Sequence, residues 1–463
     1  MAARSRASVA LGAAVVLTGV GAGLAGAVLT LFLHAVQHLA YGYSDEAFLV
    51  GSMHAPPARR VLAMTVAGAV VGVGWWLLRR LSPTVPSVTA ALASPGRHLR
   101  MVPTWVDALL QLTAVGAGAS LGREGAPRQV AAALAEGWAR MFGLDDSRRR
   151  TLLACGAGAG LAAVYNVPLG GAIFALEILL RTVTLDDALI ALVTSGIATA
   201  VAWPIVGRQP TYVVPALTVP WTLIVGSVLL GPVAGLVGWA FRHLTTAARL
   251  HAPTGWRLPA TTTVLFAAVG ALAVVLPEVL GNGKGPAALA FTGGLPLTVL
   301  AALLVAKPLA TAACLRSGAV GGLLTPAVAT GAVLGALGGA GWALLWPGSP
   351  PGAFAIVGAA AVLATTQRAP LTAAVLAVEF THSSLTMLVP IALAVGGAVV
   401  LSHAVLDLRG RQTGTSPSAA ATMSRSSRRV GPGVNGGRQP DAKTARASGS
   451  TGSRDDGSSS MDR

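Results

Sequence analysis

Charge is scarce in this chain. Only 11% of its 463 residues are Asp, Glu, Lys or Arg, against about a quarter in an average soluble chain. A chain of this length would otherwise suggest two or three soluble domains, but it has too little polar surface to enclose them. The two cysteines, Cys155 and Cys314, both lie in apolar runs; a disulfide framework is excluded by number and small core residues are expected. Lysine occurs only at 284, 307 and 443, and tyrosine only at 41, 43, 165 and 212. No Walker A, GxSxG or HExxH pattern is present, so nucleotide-driven transport and hydrolysis have no support. His34 and His38 are four apart on the first apolar run and read as interfacial. No metal and no cofactor are expected.

What is there is apolar. Hydrophobic residues make up 53% and glycine is abundant at 57 residues, as expected where membrane helices pack backbone to backbone. Apolar stretches recur almost without pause: Ala7–Leu33, Val61–Leu78, Leu109–Leu121, Ala188–Val206, Trp221–Phe241, Thr262–Leu276, Leu297–Leu315, Ala327–Leu345 and Met387–Val405. The first is too long for a signal peptide and is predicted to be a membrane helix. Four more, Gln129–Phe142, Leu152–Val164, Leu169–Leu180 and Leu371–Phe380, fall short of the roughly 20 residues a full span takes. Many follow Gly or Pro, as half-helices do whose ends expose backbone dipoles to an ion at mid-membrane.

The net charge of +16 raises nucleic acid as a partner, but its placement argues against that. Ten Lys and Arg and four Asp from Leu408 onward leave +6 in the tail. Much of the rest, Arg59-Arg60, Arg79-Arg80, Arg148 to Arg150, Arg242 and Arg249, reads as short connectors obeying the positive-inside rule. No soluble domain is visible to carry a nucleic-acid face. The expected organisation is an all-α polytopic transmembrane domain over 1–408, with a first half of about 1–206 and a second of about 219–408. The Ser-, Gly- and Arg-rich stretch 409–463 is expected to be a disordered cytoplasmic tail.

An internal repeat supports two halves. Gly156–Glu177 and Gly358–Glu379 share ten of 22 positions at a constant offset of 202. Some identities are cheap in an Ala- and Gly-rich chain; Pro168 with Pro370, Leu169 with Leu371, and Glu177 with Glu379 are not. Each copy follows a Gly-rich helix start, Gly122–Pro127 and Gly321–Pro326. This implies pseudo-symmetry with the site between the halves.

At Gly122-Arg123-Glu124-Gly125 the glycines permit a tight backbone before a short helix. The first N–H groups of a helix lack internal partners and carry partial positive charge, so they can bind an anion. A carboxylate is favoured there too, and Glu124 can occupy the anion site until protonated. A surface loop with a capping Glu is the plainer reading; the apolar flanks count against it. In the second half, Gly321–Pro326 opens the partner helix, and the free amides of Leu323 and Leu324 can face the same anion. Ser82-Pro83-Thr84-Val85-Pro86, read alone, is a Pro-rich turn. Glu177 and Glu379 sit in apolar helices, where an ionisable residue is by default functional or paired; a capping role between the halves is equally open. Asp186 and Asp187 read as membrane-edge residues.

On these residues the chain resembles the CLC family of chloride channels and chloride/proton exchangers. Gly122–Pro127 is similar to the family's GREGP, which carries a gating glutamate, and Gly322–Pro326 to its GxFxP. Tyr165–Gly171 followed by Glu177 resembles FNAPLAG…E, and Arg368–Thr372 resembles RAPLT. The resemblance runs in family order from about Ala7 to about Ser402. It implies a homodimer in the lipid bilayer of the cell membrane, with one anion pathway per subunit, about 18 helices, many of them not full-length, and a gate at Glu124. The anion-binding residues it implies are Pro83, Thr84, Val85, Gly122, Arg123, Gly125, Leu323, Leu324 and Thr325, with Glu177 and Glu379 as supporting inner acidic residues.

The departures carry information. Ala126 stands where GREGP has proline. By position the family's GSGIP falls on Ser82–Pro86, with Pro83 replacing the serine that coordinates the central anion; proline there resembles the nitrate-preferring plant members. Leu324 replaces the phenylalanine of GxFxP, and the family's late pathway tyrosine has no counterpart. Ile178 follows Glu177 where many exchangers carry a proton-relay glutamate. The C-terminal regulatory domains of many relatives are absent from this sequence.

Ile178 points to a channel for chloride or a similar small anion; the alternative is an anion/proton exchanger preferring nitrate or fluoride. A cation-coupled transporter of inverted-repeat type would expect paired Asp at broken helices, and an intramembrane enzyme a nucleophile with a base; neither is readable. One test follows from Pro83. A serine hydroxyl donates a hydrogen bond to an anion and proline cannot, so Pro83→Ser should raise selectivity for chloride over nitrate. An unchanged permeability ratio would show the motif is misassigned.

Overall fold

The computed structural model describes residues 2–43, 47–82, 87–94 and 98–412, with side chains placed between 8 and 405. Pro83, Thr84 and Val85 lie outside the described residues, as do residues 413–463 of the tail expected over 409–463; residues 409–412 of that stretch are the end of a helix. Residues Met1–Leu406 form one compact unit. Among the described residues the regular structure is helical, in seventeen α-helices from α1 (Ala2–Tyr41) to α17 (Leu388–Gln412). It is an all-α polytopic membrane fold in two inverted halves. Eight helices are long and apolar enough to cross a membrane: α1, α3 (Pro57–Leu81), α9 (Leu185–Val206), α10 (Trp221–Leu250), α11 (Arg257–Val275), α13 (Leu297–Arg316), α14 (Leu324–Leu345) and α17.

Several helices run past the apolar stretches that signalled them. The first stretch ends at Leu33, yet α1 continues to Tyr41, and α10 continues from Phe241 to Leu250. Arg242 and Arg249 are therefore helical residues and not connectors. Arg59-Arg60 and Arg79-Arg80 occupy the first and last turns of the same helix, α3, so the two pairs sit at opposite ends of one span and cannot both mark one membrane face. Arg60 has a local reason to be there. It is buried and donates to the carbonyls of Ser52 (2.8 Å) and Met53 (2.5 Å) near the end of α2 (Phe48–His54), and to Ala273 (3.0 Å) near the end of α11. Arginine at helix C-termini satisfies carbonyls that the helix leaves unpaired.

The short elements follow the repeat. Helix α7 (Asp146–Tyr165) starts on Asp145, whose side chain accepts from the Arg148 amide, and it ends at Asn166 in a left-handed conformation, φ 57°. Its counterpart α15 (Pro351–Gln367) ends at Arg368, φ 54°. Each is followed by a helix starting on proline, α8 (Pro168–Phe174) and α16 (Pro370–Thr381). Proline suits this first turn because it has no N–H to leave unpaired. A π-helical turn, Ala175–Leu180, extends α8. Left-handed backbone is costly for residues with a Cβ. Among the described residues the four that adopt it are Asn166, Arg368, Arg181 and His382, which fall into two pairs at corresponding points of the halves.

Glu177 and Glu379 receive a structural role. Glu379 accepts from the amides of Leu169 (3.0 Å) and Gly170 (2.5 Å) at the start of α8. Glu177 accepts from the amides of Leu371 (3.0 Å) and Thr372 (2.7 Å) and from the Thr372 hydroxyl (2.6 Å) at the start of α16. Each half thus caps the other's broken helix with its own carboxylate. Hydrogen bonds to charged groups are each worth about 1.5–3 kcal/mol. Glu379→Ala, and separately Glu177→Ala, should lower the unfolding temperature in detergent by several degrees, while the anion flux per folded molecule stays near the parent value. Equal melting curves would refute reciprocal capping as a source of stability.

Candidate functional site

Two helix starts meet between the halves. Gly122 and Gly322 form a two-residue antiparallel bridge, Gly122 N–H to Gly322 O at 2.8 Å and Gly322 N–H to Gly122 O at 2.9 Å. Helix α6 (Gly125–Met141) leaves from one side and α14 from the other. The pairing satisfies backbone groups that would otherwise be unpaired deep in the protein. Glycine at both positions also leaves room for the Glu124 carboxylate, which a Cβ at either would overlap and displace.

Glu124 is fully buried. Its side chain does not cap its own helix; it crosses to the opposite half. Oε1 accepts from the Leu324 amide at 2.7 Å. Oε2 accepts from the Tyr165 hydroxyl and the Thr325 hydroxyl, both at 3.1 Å, and those two hydroxyls stand 2.8 Å apart. The carboxylate therefore sits at the N-terminus of α14, among one amide and two hydroxyls. A small anion at that point would meet the same donors, so carboxylate and anion are alternatives for one seat.

The other residues singled out in the sequence take distinct positions. Leu323 precedes α14 and borders a cavity described below. Gly125 opens α6 and borders the same cavity. Arg123 turns away from the carboxylate: it donates to the Val164 carbonyl at 3.0 Å and lies over the Tyr165 ring at 4.9 Å. It thus positions the tyrosine. Glu177 and Glu379 belong to the caps and not to this seat.

Tyr165 is the residue that motif reading passed over. In the sequence it is only the first position of the Tyr165–Gly171 element. In the structure it ends α7, and its ring packs edge-on against Phe380 with centroids 5.4 Å apart. Its hydroxyl is delivered to the pathway from the first half, where the family pattern would bring a tyrosine from late in the chain.

A cavity of about 630 Å³ opens next to the bridge, bordered by Gly125, Gly322 and Leu323. Arg79, Arg128, Arg242 and Arg249 line it, and among the described residues no carboxylate does. Arg79 donates to the Gly318 carbonyl at 2.8 Å and Arg249 to that of Gly321 at 3.2 Å, on the approach to α14. Arg128 donates to the Glu124 carbonyl at 3.0 Å. A cleft lined by charge of one sign concentrates counter-ions, and the four arginines give this one a single sign. Ile178 also borders the cavity.

If the Tyr165 hydroxyl helps to hold the Glu124 carboxylate in place, Tyr165→Phe should loosen it. Anion flux in liposomes should rise by up to about tenfold, the equivalent of a hydrogen bond of roughly 1.4 kcal/mol, with the elution profile unchanged. Flux equal to the parent's would leave the tyrosine as packing only.

Comparison with known proteins fits this geometry. Residues 67–403 match the family description "Voltage gated chloride channel". The chain is 32% identical over 412 residues to the H(+)/Cl(-) exchange transporter ClcA of Vibrio vulnificus, covering 84% of this chain and 85% of the relative. It superposes on a slow cyanobacterial Cl-/H+ antiporter with a TM-score of 0.76 at 21% identity, over 91% of this chain and 99% of the other. A CLC-type fluoride/proton antiporter gives 0.69 at 21% identity, over 85% and 95%.

Proposed function

The chain belongs to the voltage-gated chloride channel family, the CLC family, and on that footing we propose that it exchanges chloride or a similar small anion for protons across the cell membrane. Multi-pass membrane insertion and the transport of small anions come with the family; exchange is the finer reading. It replaces the channel expected from Ile178. A relative matched over 84% of this chain is named an H(+)/Cl(-) exchanger, and the absence of one relay glutamate does not by itself make a channel.

The observation that carries the reading is the Glu124 carboxylate at the start of α14, held by the Leu324 amide and the hydroxyls of Tyr165 and Thr325. A carboxylate is an anion that can be neutralised. Ionised, it competes with the transported anion for the same donors. Protonated, it loses its hold on them and yields the seat. One side chain then couples the arrival of a proton to that of an anion, which an exchanger needs and a simple pore does not. The arginine-lined cavity supplies anions to the seat, and the bridge at Gly122 and Gly322 keeps the two helix starts in register. A homodimer, each subunit with its own pathway, is part of the same proposal. Anion preference depends on Pro83, Thr84 and Val85 together with Leu324.

Proteoliposomes loaded with chloride test both halves of the proposal. Relieving an outward chloride gradient should draw protons inward, read with a pH electrode. Glu124→Gln keeps nearly the same shape but cannot ionise. It should pass anions at least as fast, lose its pH dependence and move no protons. Anion flux without proton movement in the unmutated protein would return the channel reading. A Glu124→Gln protein indistinguishable from its parent would make Glu124 a structural residue.

A further inference from the structure

We propose that Asp107 is the inner proton-carrying group of this transporter and that Gln111 orients the water through which it exchanges protons with Glu124. The inference rests on the exchange reading above and supplies what Ile178 cannot, an ionisable side chain on the inner approach.

Asp107 lies on α5 (Met101–Gly116) and is buried. Its carboxylate accepts from the Trp75 indole N–H at 2.8 Å and from the Gln111 side-chain amide at 2.8 Å. Both donors are neutral. The charge acting on it from neighbouring elements is that of Arg79 on α3, which also lines the cavity. A carboxyl group placed in a membrane protein with neutral hydrogen-bond partners is costly as pure scaffold, and such residues by default mark ion or proton paths.

Gln111 gives the arrangement its direction. Its Nε2 donates both to Asp107 and, at 2.8 Å, to Gln129 on α6. That fixes which end of the amide is which, since the reverse orientation would set oxygen against the Asp107 carboxylate. Its Oε1 is buried and has no hydrogen-bond partner among the described residues. That oxygen sits where a Cβ on Gly125, the residue after Glu124, would overlap it. An open acceptor in such a place is the mark of a bound water. Gln111 borders the cavity, as do Gln129, Gly125 and Arg79, so a water reaches the oxygen from there when the packing around it opens. The network Trp75–Asp107–Gln111–Gln129 thus ties α3, α5 and α6 together and ends at the residue next to the gate.

The transfer balances simply. The protonated Asp107 carboxyl gives its proton to water held by Gln111 Oε1 and becomes a carboxylate. That water passes a proton on to the Glu124 carboxylate, which becomes neutral and leaves the α14 terminus. Asp107 is then reloaded from water in the cavity. Gln111 changes no protonation state; it is a positioning residue.

The test uses the full chain in liposomes, with chloride and proton fluxes recorded together. Asp107→Asn should lower proton flux tenfold or more and with it the number of protons moved per chloride, and Asp107→Glu should restore most of both. Gln111→Met should lower the proton-to-chloride ratio in the same direction and carries the test if Asp107→Asn aggregates. An unchanged proton-to-chloride ratio in Asp107→Asn, or in Gln111→Met where that variant is the one available, overturns the proposal and leaves exchange intact. Parallel loss of both fluxes that Asp107→Glu fails to rescue also overturns it, as the mark of a scaffold residue. If the unmutated protein moves no protons, the exchange reading and this inference fall together.

Discussion

The structure turns on the unpaired N–H groups at the start of a helix that begins inside the protein. A helix has about four such groups, and water is scarce where α14 starts. Something negative must face them. Here it is the Glu124 carboxylate, brought from the other half of the chain at 2.7 Å from the Leu324 amide. Everything nearby serves that contact. Glycines at 122 and 322 make room for it, their paired amides fix its register, and Tyr165 and Thr325 close around it. A partner that can be neutralised by a proton makes the same stabilising contact reversible.

The same physics appears a second time without reversibility. The broken helices α8 and α16 also expose N–H groups, and Glu379 and Glu177 cap them across the pseudo-symmetry axis. Both halves supply a carboxylate, so both helix starts are satisfied and nothing is left for a transported ion. What sets the Glu124 carboxylate apart from these two caps is its surroundings: an arginine-lined cavity and a hydroxyl cluster stand beside it.

Much of this was legible in the residues. The Pro-Leu…Glu element recurring at an offset of 202 announced two halves, because a proline-started helix and its cap must both be repeated for both halves to fold. Gly122–Gly125 announced a helix start with a carboxylate beside it, but the terminus that the carboxylate faces is that of α14 and not that of α6. The parts that stayed hidden depend on contacts between residues far apart in the chain. Arg60 looks like a membrane-edge charge until Ala273, 213 positions away, is seen to need a donor. The Tyr165 hydroxyl has no signature, since its role comes from the left-handed end of α7 and the packing of Phe380. Asp107 and Gln111 look like polar interruptions of an apolar run until Trp75 and Gln129 close around them. The end of α10 was misjudged for a related reason: Arg242 and Arg249, facing a cavity, continue a helix that hydropathy alone would stop.

The symmetry is kept where it stabilises and broken where it works. The bridge pairs Gly122 with Gly322 at an offset of 200. At the same offset Glu124 corresponds to Leu324, the residue whose amide it binds. One half brings a carboxylate and the other brings the Leu324 N–H and the Thr325 hydroxyl, neither of them charged. Had position 324 also been acidic, two carboxylates would crowd a single dry space and repel each other, and no seat would remain for an anion. With leucine there, the second half offers its N–H group and no charge of its own. One seat and one titratable occupant remain, which is the least a protein needs to exchange an anion against a proton.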